Sequence, residues 1–319
     1  MENMLLSLLP VFLLVALGAV VRKIRLIGVE TVEGLKTIII RIALPAVLFT
    51  AFARAKMELH YVIIFALVFF LCVLLFLTGK LLHRVFPKLF PDEYTDAYFT
   101  GFEFGMIGVG LFPAIWGMQR LPEIALIAFG HEIFIWFFYV PVLEARKSSS
   151  KIDLRKTTAD FFRSPTSIAI ILGSALNITG IFSRVEAALA GKVLLNALAM
   201  LGNIIAPLIL IVIGYSISFK KIPPVKSAAL LVSRWLAVLA FGALVFAAAR
   251  ILVPSLGRFF MISFFAFLLL PPPFILPVFM KKTKTADVSF FSELLIYYTL
   301  LSFGGYVVLM SLFGADSAL

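Results

Sequence analysis

The chain has 319 residues, of which 62% are hydrophobic and only 14% charged, with a formal net charge of +11. Its apolar runs recur at near-regular spacing, and many reach about 20 residues, enough to cross ~30 Å of hydrocarbon as helices. This pattern excludes an ordinary soluble domain and marks a polytopic all-α membrane protein.

Ten spans are expected, near 4–21, 34–53, 61–82, 97–117, 123–143, 165–182, 189–217, 227–249, 259–279 and 289–312. The first is preceded by Glu2 and followed by Arg22, Lys23 and Arg25, the reverse of a signal peptide, so it reads as an uncleaved span. Most basic residues fall in alternate connections: Arg22 to Arg25, Lys80 to Lys88, Arg146 to Arg163, Lys220 to Lys226, and Lys281 to Lys284. The positive-inside rule makes these cytoplasmic and puts both termini outside a cell (plasma) membrane. The net charge is therefore topological and implies no nucleic-acid partner. Cys72 is the single cysteine and lies in an apolar run, so no disulfide framework exists. Asn177-Ile178-Thr179 matches a glycosylation pattern that is too short to be informative.

Span 2 carries Thr37, Arg41 and Pro45 four apart, hence on one face of an ideal helix. Lys36 lies near the end and snorkels to the interface. Arg41 has two readings: it snorkels likewise, or it reaches inward to Glu103, which stands at similar depth. Span 4 contains Gly101-Phe102-Glu103-Phe104-Gly105-Met106-Ile107-Gly108-Val109-Gly110-Leu111-Phe112-Pro113, a stretch written to break a helix. Its glycines free the backbone, and Pro113 removes a donor. Glu103 adds an ionisable group at membrane depth, which is functional by default. Span 5 carries His131-Glu132, read either as a histidine bonded to a nearby carbonyl or as a proton relay.

The long polar connection 144–164 separates residues 1–143 from 165–319. The second half echoes the first. Leu44-Pro45-Ala46-Val47-Leu48 recurs as Ala206-Pro207-Leu208-Ile209-Leu210, an offset of 162 residues between Pro45 and Pro207. The same offset carries Pro113 into Pro271-Pro272-Pro273-Phe274-Ile275-Leu276-Pro277 of span 9. Five spans is an odd number, so the halves enter the membrane in opposite orientation. Corresponding disrupted spans in inverted halves point to a transporter's binding site.

These residues resemble the auxin efflux carrier (PIN-like) family over nearly the whole length. The likeness rests on Leu9-Pro10-Val11-Phe12, Ile42-Ala43-Leu44-Pro45-Ala46, Pro207 through Gly214, and Pro271-Pro272. The family's fourth span commonly reads N-x-G-x-x-G-x-P. Gly105 and Gly108 keep its glycines, Glu103 replaces the asparagine and Gly110 the proline, with Pro113 one turn later. The ninth span commonly reads P-P-x-x-N, and Ile275 stands in place of that asparagine. The resemblance implies two inverted five-helix repeats, with spans 4 and 9 unwound and crossing beside the substrate. It also implies an organic-anion solute and a homodimer as known among relatives.

The expected function is a secondary transporter using alternating access, moving a small organic solute, an anion by resemblance. The site residues are Glu103, Gly105, Gly108, Gly110, Pro113, Asn203, Pro271, Pro272, Pro273 and Ile275, with Glu103 and Arg41 forming an ion pair or coupling to protons or sodium. Asn203 supplies a neutral hydrogen bond from mid-span 7; Asn196, Tyr297 and Glu293 are weaker candidates. The alternatives are a carrier of a neutral or cationic metabolite and a non-transporting ligand sensor. Membrane lipid is the other partner. No nucleophile, metal set or carboxylate dyad lies within the spans, so no enzyme and no cofactor is expected.

Overall fold

The computed structural model describes residues 2–55, 58, 60–148, 152, 154–217, 224–280 and 287–313. Lys151, Lys220, Lys221, Lys281, Lys282 and Lys284, within the basic connections used above for topology, lie outside the described residues, as do both chain ends. Among the described residues the secondary structure is all helical. Seven helices are long and apolar enough to cross a membrane: Val29–Arg54, Tyr61–Val85, Thr95–Trp116, Met118–Ser148, Leu189–Ser216, Val225–Leu252 and Val288–Phe313. Pro165–Ile178 and Ile181–Ala187 add an eighth if they form one span, bent by 94° where Gly180 takes a φ of +70°. The chain is thus a multi-pass helical membrane protein. Of the two other expected spans, 4–21 falls on the helix Glu2–Lys23, and 259–279 on two short helices, Arg258–Leu268 and Leu276–Phe279.

Two helix pairs make the most extensive contacts. Glu2–Lys23 packs on Ile205–Ser216, and Pro165–Ile178 packs on Leu44–Arg54. Small residues let the backbones touch, as membrane helices require where lipid is as apolar as leucine. A Cβ on Gly18 would strike the Ile211 carbonyl, one on Gly214 the Val15 carbonyl, and one on Gly173 the Phe49 carbonyl. Asn177 donates to the carbonyls of Ala53 and Ala55 at 2.7 and 2.6 Å, so its side chain ties together the second of these pairs.

Three turns are widened to π geometry, at Ile39–Ala43, Phe104–Gly108 and Ile135–Tyr139. Pro45 and Pro141 explain two of them. Each proline ring would clash with the carbonyl four residues before it, Arg41 or Phe137, and widening the turn relieves that clash. The connection 144–164 is not simply a loop. Its segment Leu154–Arg163 is a helix, and Phe161 packs on Trp136 and Phe137. At the same end of the bundle Arg146 grips the buried Asp96 with both arms, at 2.6 and 2.8 Å. Lys147 donates to the Val278 carbonyl at 2.8 Å.

Gly214→Ala should lower the apparent melting temperature in detergent, because overpacking at a closed contact costs about 1–3 kcal/mol. Gly304→Ala, in a helix position with nothing within 4 Å, should hold or raise it. Equal shifts for the two would remove close backbone approach as the cause.

A second expectation concerns Asp92, in the connection before Thr95. Burial lifts its carboxyl to about 6, against the pull of the Tyr94 and Asp287 amides. The folded state therefore holds this proton above the unfolded value of 3.8, so stability falls as pH rises through that window. Thermal unfolding across pH should show Asp92→Asn losing part of that decline; an unchanged slope would refute it.

Candidate functional site

The helix Thr95–Phe99 stops where Thr100 turns extended and Gly101 takes a φ of +71°. A Cβ on Gly101 would collide with the Pro273 ring at 2.6 Å, so a residue without a side chain is needed on two counts. Glu103 follows at φ −80°, ψ 71°, the centre of an inverse γ-turn closed by Phe104 N–H donating to the Phe102 carbonyl at 2.9 Å. Helix resumes at Phe104. The second break lies between Leu268 and Leu276, where Pro271, Pro272 and Pro273 cannot supply amide donors.

The two breaks meet at Glu103. Its backbone N–H donates to the Pro271 carbonyl at 2.7 Å. Its carboxylate accepts from Phe274 N–H at 2.6 Å on one oxygen and from Met106 N–H at 3.2 Å on the other. One residue thus caps the helix that follows it and satisfies the opposing break.

Three other side chains bond the backbone around the first break. Arg234, from Val225–Leu252, is 0% exposed and donates to the carbonyls of Tyr98 at 3.1 Å and Gly101 at 2.8 Å. Those carbonyls belong to the broken end of Thr95–Phe99, where a helix leaves acceptors unsatisfied and a cation is favourable. The guanidinium also lies 4.4 Å from the Tyr298 ring centroid and 5.5 Å from that of Phe102. Tyr139 donates to the Ala97 carbonyl at 3.1 Å. His131 Nε2 accepts the Phe102 N–H at 2.9 Å, so in the neutral ring the proton sits on Nδ1. Of the two readings of His131, the histidine–carbonyl bond gives way to an amide–histidine bond.

Beside the crossing opens a cavity of ≈ 730 Å³. Of the expected site residues, Glu103, Gly105, Pro273 and Ile275 line it. Pro271 and Pro272 are buried behind it, and Pro271 holds the Glu103 amide. Gly108 packs toward Leu270 and Gly110 toward Ile209, while Pro113 is buried within Val109–Trp116; none of the three lines the cavity.

Two expectations fail on geometry. Arg41 is exposed and makes no ion pair with Glu103 among the described residues. The π turn before Pro45 breaks the ideal helical register, so Thr37, Arg41 and Pro45 do not share a straight face, and Ile40 lines the cavity instead. Asn203 is also exposed: it ends the helix Leu189–Asn203 and faces away from the cavity, and Asn196 is exposed too. Glu293 does line the cavity, whereas Tyr297 does not. Gly101, Arg234 and the Phe274 amide went unassigned from sequence. Arg234 had a legible signal, a lone cation inside a long apolar run. Among the described residues no group of three or more His, Cys, Asp or Glu side chains could hold a metal ion.

Arg234→Met should lower the melting temperature, since each orphaned buried carbonyl costs about 1–3 kcal/mol, with Arg234→Lys falling between. An unchanged value would mean that desolvating the guanidinium cancels its two hydrogen bonds. Compared with known proteins, no family model matches the chain and no curated protein matches it.

Proposed function

We propose that the chain is a secondary transporter working by alternating access, built from two inverted five-helix repeats in the manner of the auxin efflux carrier family it resembles. The observation that carries this reading is the junction at Glu103, where two helix breaks satisfy each other on the wall of a cavity. Irregular backbone is tolerated at membrane depth only where it is packed in protein or lines such a space. The packing supports the repeat. Shifting by 162 residues carries Glu2–Lys23 onto the region of Pro165–Ile178, and Leu44–Arg54 onto that of Ile205–Ser216. The two closest helix pairs are therefore exchanged counterparts: the first span packs on the seventh and the sixth on the second.

The cavity reaches Glu33 and Lys36 at one face of the bundle. Toward the other face Val109–Trp116 packs on Ile205–Ser216 and Glu2–Lys23. One side is open and the other closed, as one state of an alternating cycle requires. With the basic face cytoplasmic and the termini outside, the open side faces the cytoplasm. A proton or sodium ion captured by Glu103 competes with the Met106 and Phe274 amides, so capture loosens the crossing. That competition couples an ion to the movement.

The test needs no knowledge of the solute. Cys72 is replaced by alanine, and Ile275→Cys is labelled with an impermeant maleimide from each side of reconstituted vesicles. Labelling from both sides supports alternation. Glu103→Gln, which offers one oxygen acceptor to two amides, should change the ratio of the two rates. Labelling from one face only, in both proteins, would overturn alternating access.

A further inference from the structure

The connection between the fifth and sixth expected spans carries a surface that the crossing does not use. Residues 144–164 contain six basic residues, Arg146, Lys147, Lys151, Arg155, Lys156 and Arg163, against three acidic ones, Glu144, Asp153 and Asp160. Arg146 takes a fourth carboxylate, Asp96, from outside the segment. Pairing within the segment and with Asp96 thus accounts for at most four of the six cations.

The helix Leu154–Arg163 is oriented by its contacts with the preceding span. Phe161 packs on Trp136 and Phe137, with ring centroids 6.2 and 5.1 Å apart, and Lys156 donates to both oxygens of Glu144 at 3.2 Å. At about 100° per residue these two positions bracket the face turned to the bundle. Arg155 and Phe162, seven residues apart, share the opposite face, and both are exposed, Phe162 by 56%. Arg163, in the last turn, is exposed too and makes no ion pair among the described residues. Asp153 lies outside them, but it precedes the helix and so belongs to its far end.

Depth follows from helix length. Met118–Ser148 has 31 residues, about 46 Å as a helix, against ~30 Å of hydrocarbon. Trp136 follows Met118 by 18 residues, about 27 Å along the axis. The contact of Phe161 with Trp136 therefore stands where hydrocarbon gives way to headgroups, the level at which aromatic residues anchor membrane proteins. Pro165, two residues beyond Arg163, opens the next membrane helix.

We propose that the outward face of this helix docks an anionic phospholipid of the surrounding bilayer. The Arg163 guanidinium meets the lipid phosphate, whose oxygens match its paired donors. Phe162 enters the acyl boundary beside it, as apolar residues of interfacial helices do. Arg155 stands about 12 Å further along the axis and adds its field to that of Arg163 over roughly a Debye length. Anionic lipid is drawn to basic segments at the membrane surface in this way. Phe161 also fastens the helix to Trp136, which lines the cavity, so the docked lipid holds an outer support of the cavity wall. The site lies outside the proposed transport cycle and does not depend on it.

Three probes separate the lipid from its charge: dihexanoylphosphatidylglycerol, dihexanoylphosphatidylcholine and inorganic phosphate. Each is titrated against the purified full chain in an uncharged detergent while thermal unfolding is followed, since a ligand of the native state raises apparent stability. Phosphatidylglycerol should give a saturable rise that shrinks with added salt, phosphatidylcholine a weaker one and inorganic phosphate none. Arg163→Gln should weaken the phosphatidylglycerol response by about tenfold or more in apparent affinity, and Arg163→Lys, which keeps the charge, should lose less. Arg84→Gln, at an exposed arginine of another basic connection, should leave the response unchanged. A melting temperature equal to that of the parent without lipid shows that each variant is folded. No rise with phosphatidylglycerol, an equal rise with phosphatidylcholine or with inorganic phosphate, or equal losses in Arg163→Gln and Arg84→Gln would overturn the site. None of these results touches two-sided labelling of Ile275→Cys, on which the transporter reading stands.

Discussion

Backbone polar groups inside a bilayer must find partners within the protein, and the structure turns on how the break at 100–103 meets that demand. A continuous helix would satisfy these groups internally. Breaking it frees carbonyls at the end of Thr95–Phe99 and amides at the start of the next turn. The chain answers with side chains from other helices. Arg234 and Tyr139 take the carbonyls, His131 takes one amide, and Glu103 takes another while lending its own backbone to Pro271. Burying a guanidinium is expensive; Nε and Nη2 of Arg234 meet carbonyl dipoles and its plane meets two aromatic faces, while Nη1 has no hydrogen-bond partner among the described residues.

That arrangement makes one region firm and leaves another adjustable. The contacts of Gly18, Gly173 and Gly214 are backbone to backbone, with no side chain to repack. The crossing, in contrast, is joined to Phe274 through a carboxylate that sits on a cavity wall. Bonds of this kind are exchangeable in a way that close-packed backbones are not, because a proton or a cation competes for the same oxygens. In the proposed cycle the glycine-sealed pairs serve as the frame, and the crossing is where occupancy is converted into movement.

Much of this organisation is legible in the sequence, because prolines and glycines report backbone directly. The run 271–277 marks one break and Gly101 the start of the other, whereas Gly105, Gly108, Gly110 and Pro113, expected to unwind the span, lie within helical turns. What escapes is the direction in which polar side chains point. Thr37, Arg41 and Pro45 share a face only on an ideal helix, and the π turn that Pro45 induces removes that face. Asn203 sits mid-span by counting, yet it ends one helix and faces outward. Arg234 is visible as an isolated cation, but nothing in its neighbours names Tyr98 and Gly101, more than 130 residues away, as its partners. His131 shows the same limit: burial was foreseeable, but its exchange of a carbonyl partner for an amide depends on where the chain breaks.

The residue that departs from the resembled family's pattern is also the one that joins the two breaks. An asparagine at position 103 would present one acceptor and one donor group, so it could satisfy one helix-end amide and leave the other for a solute anion. Glu103 presents two acceptor oxygens, and both are used. A carboxylate at this position therefore sets the electrostatics of the crossing as well as its geometry. Helix ends that otherwise welcome negative charge are met here by the protein's own carboxylate.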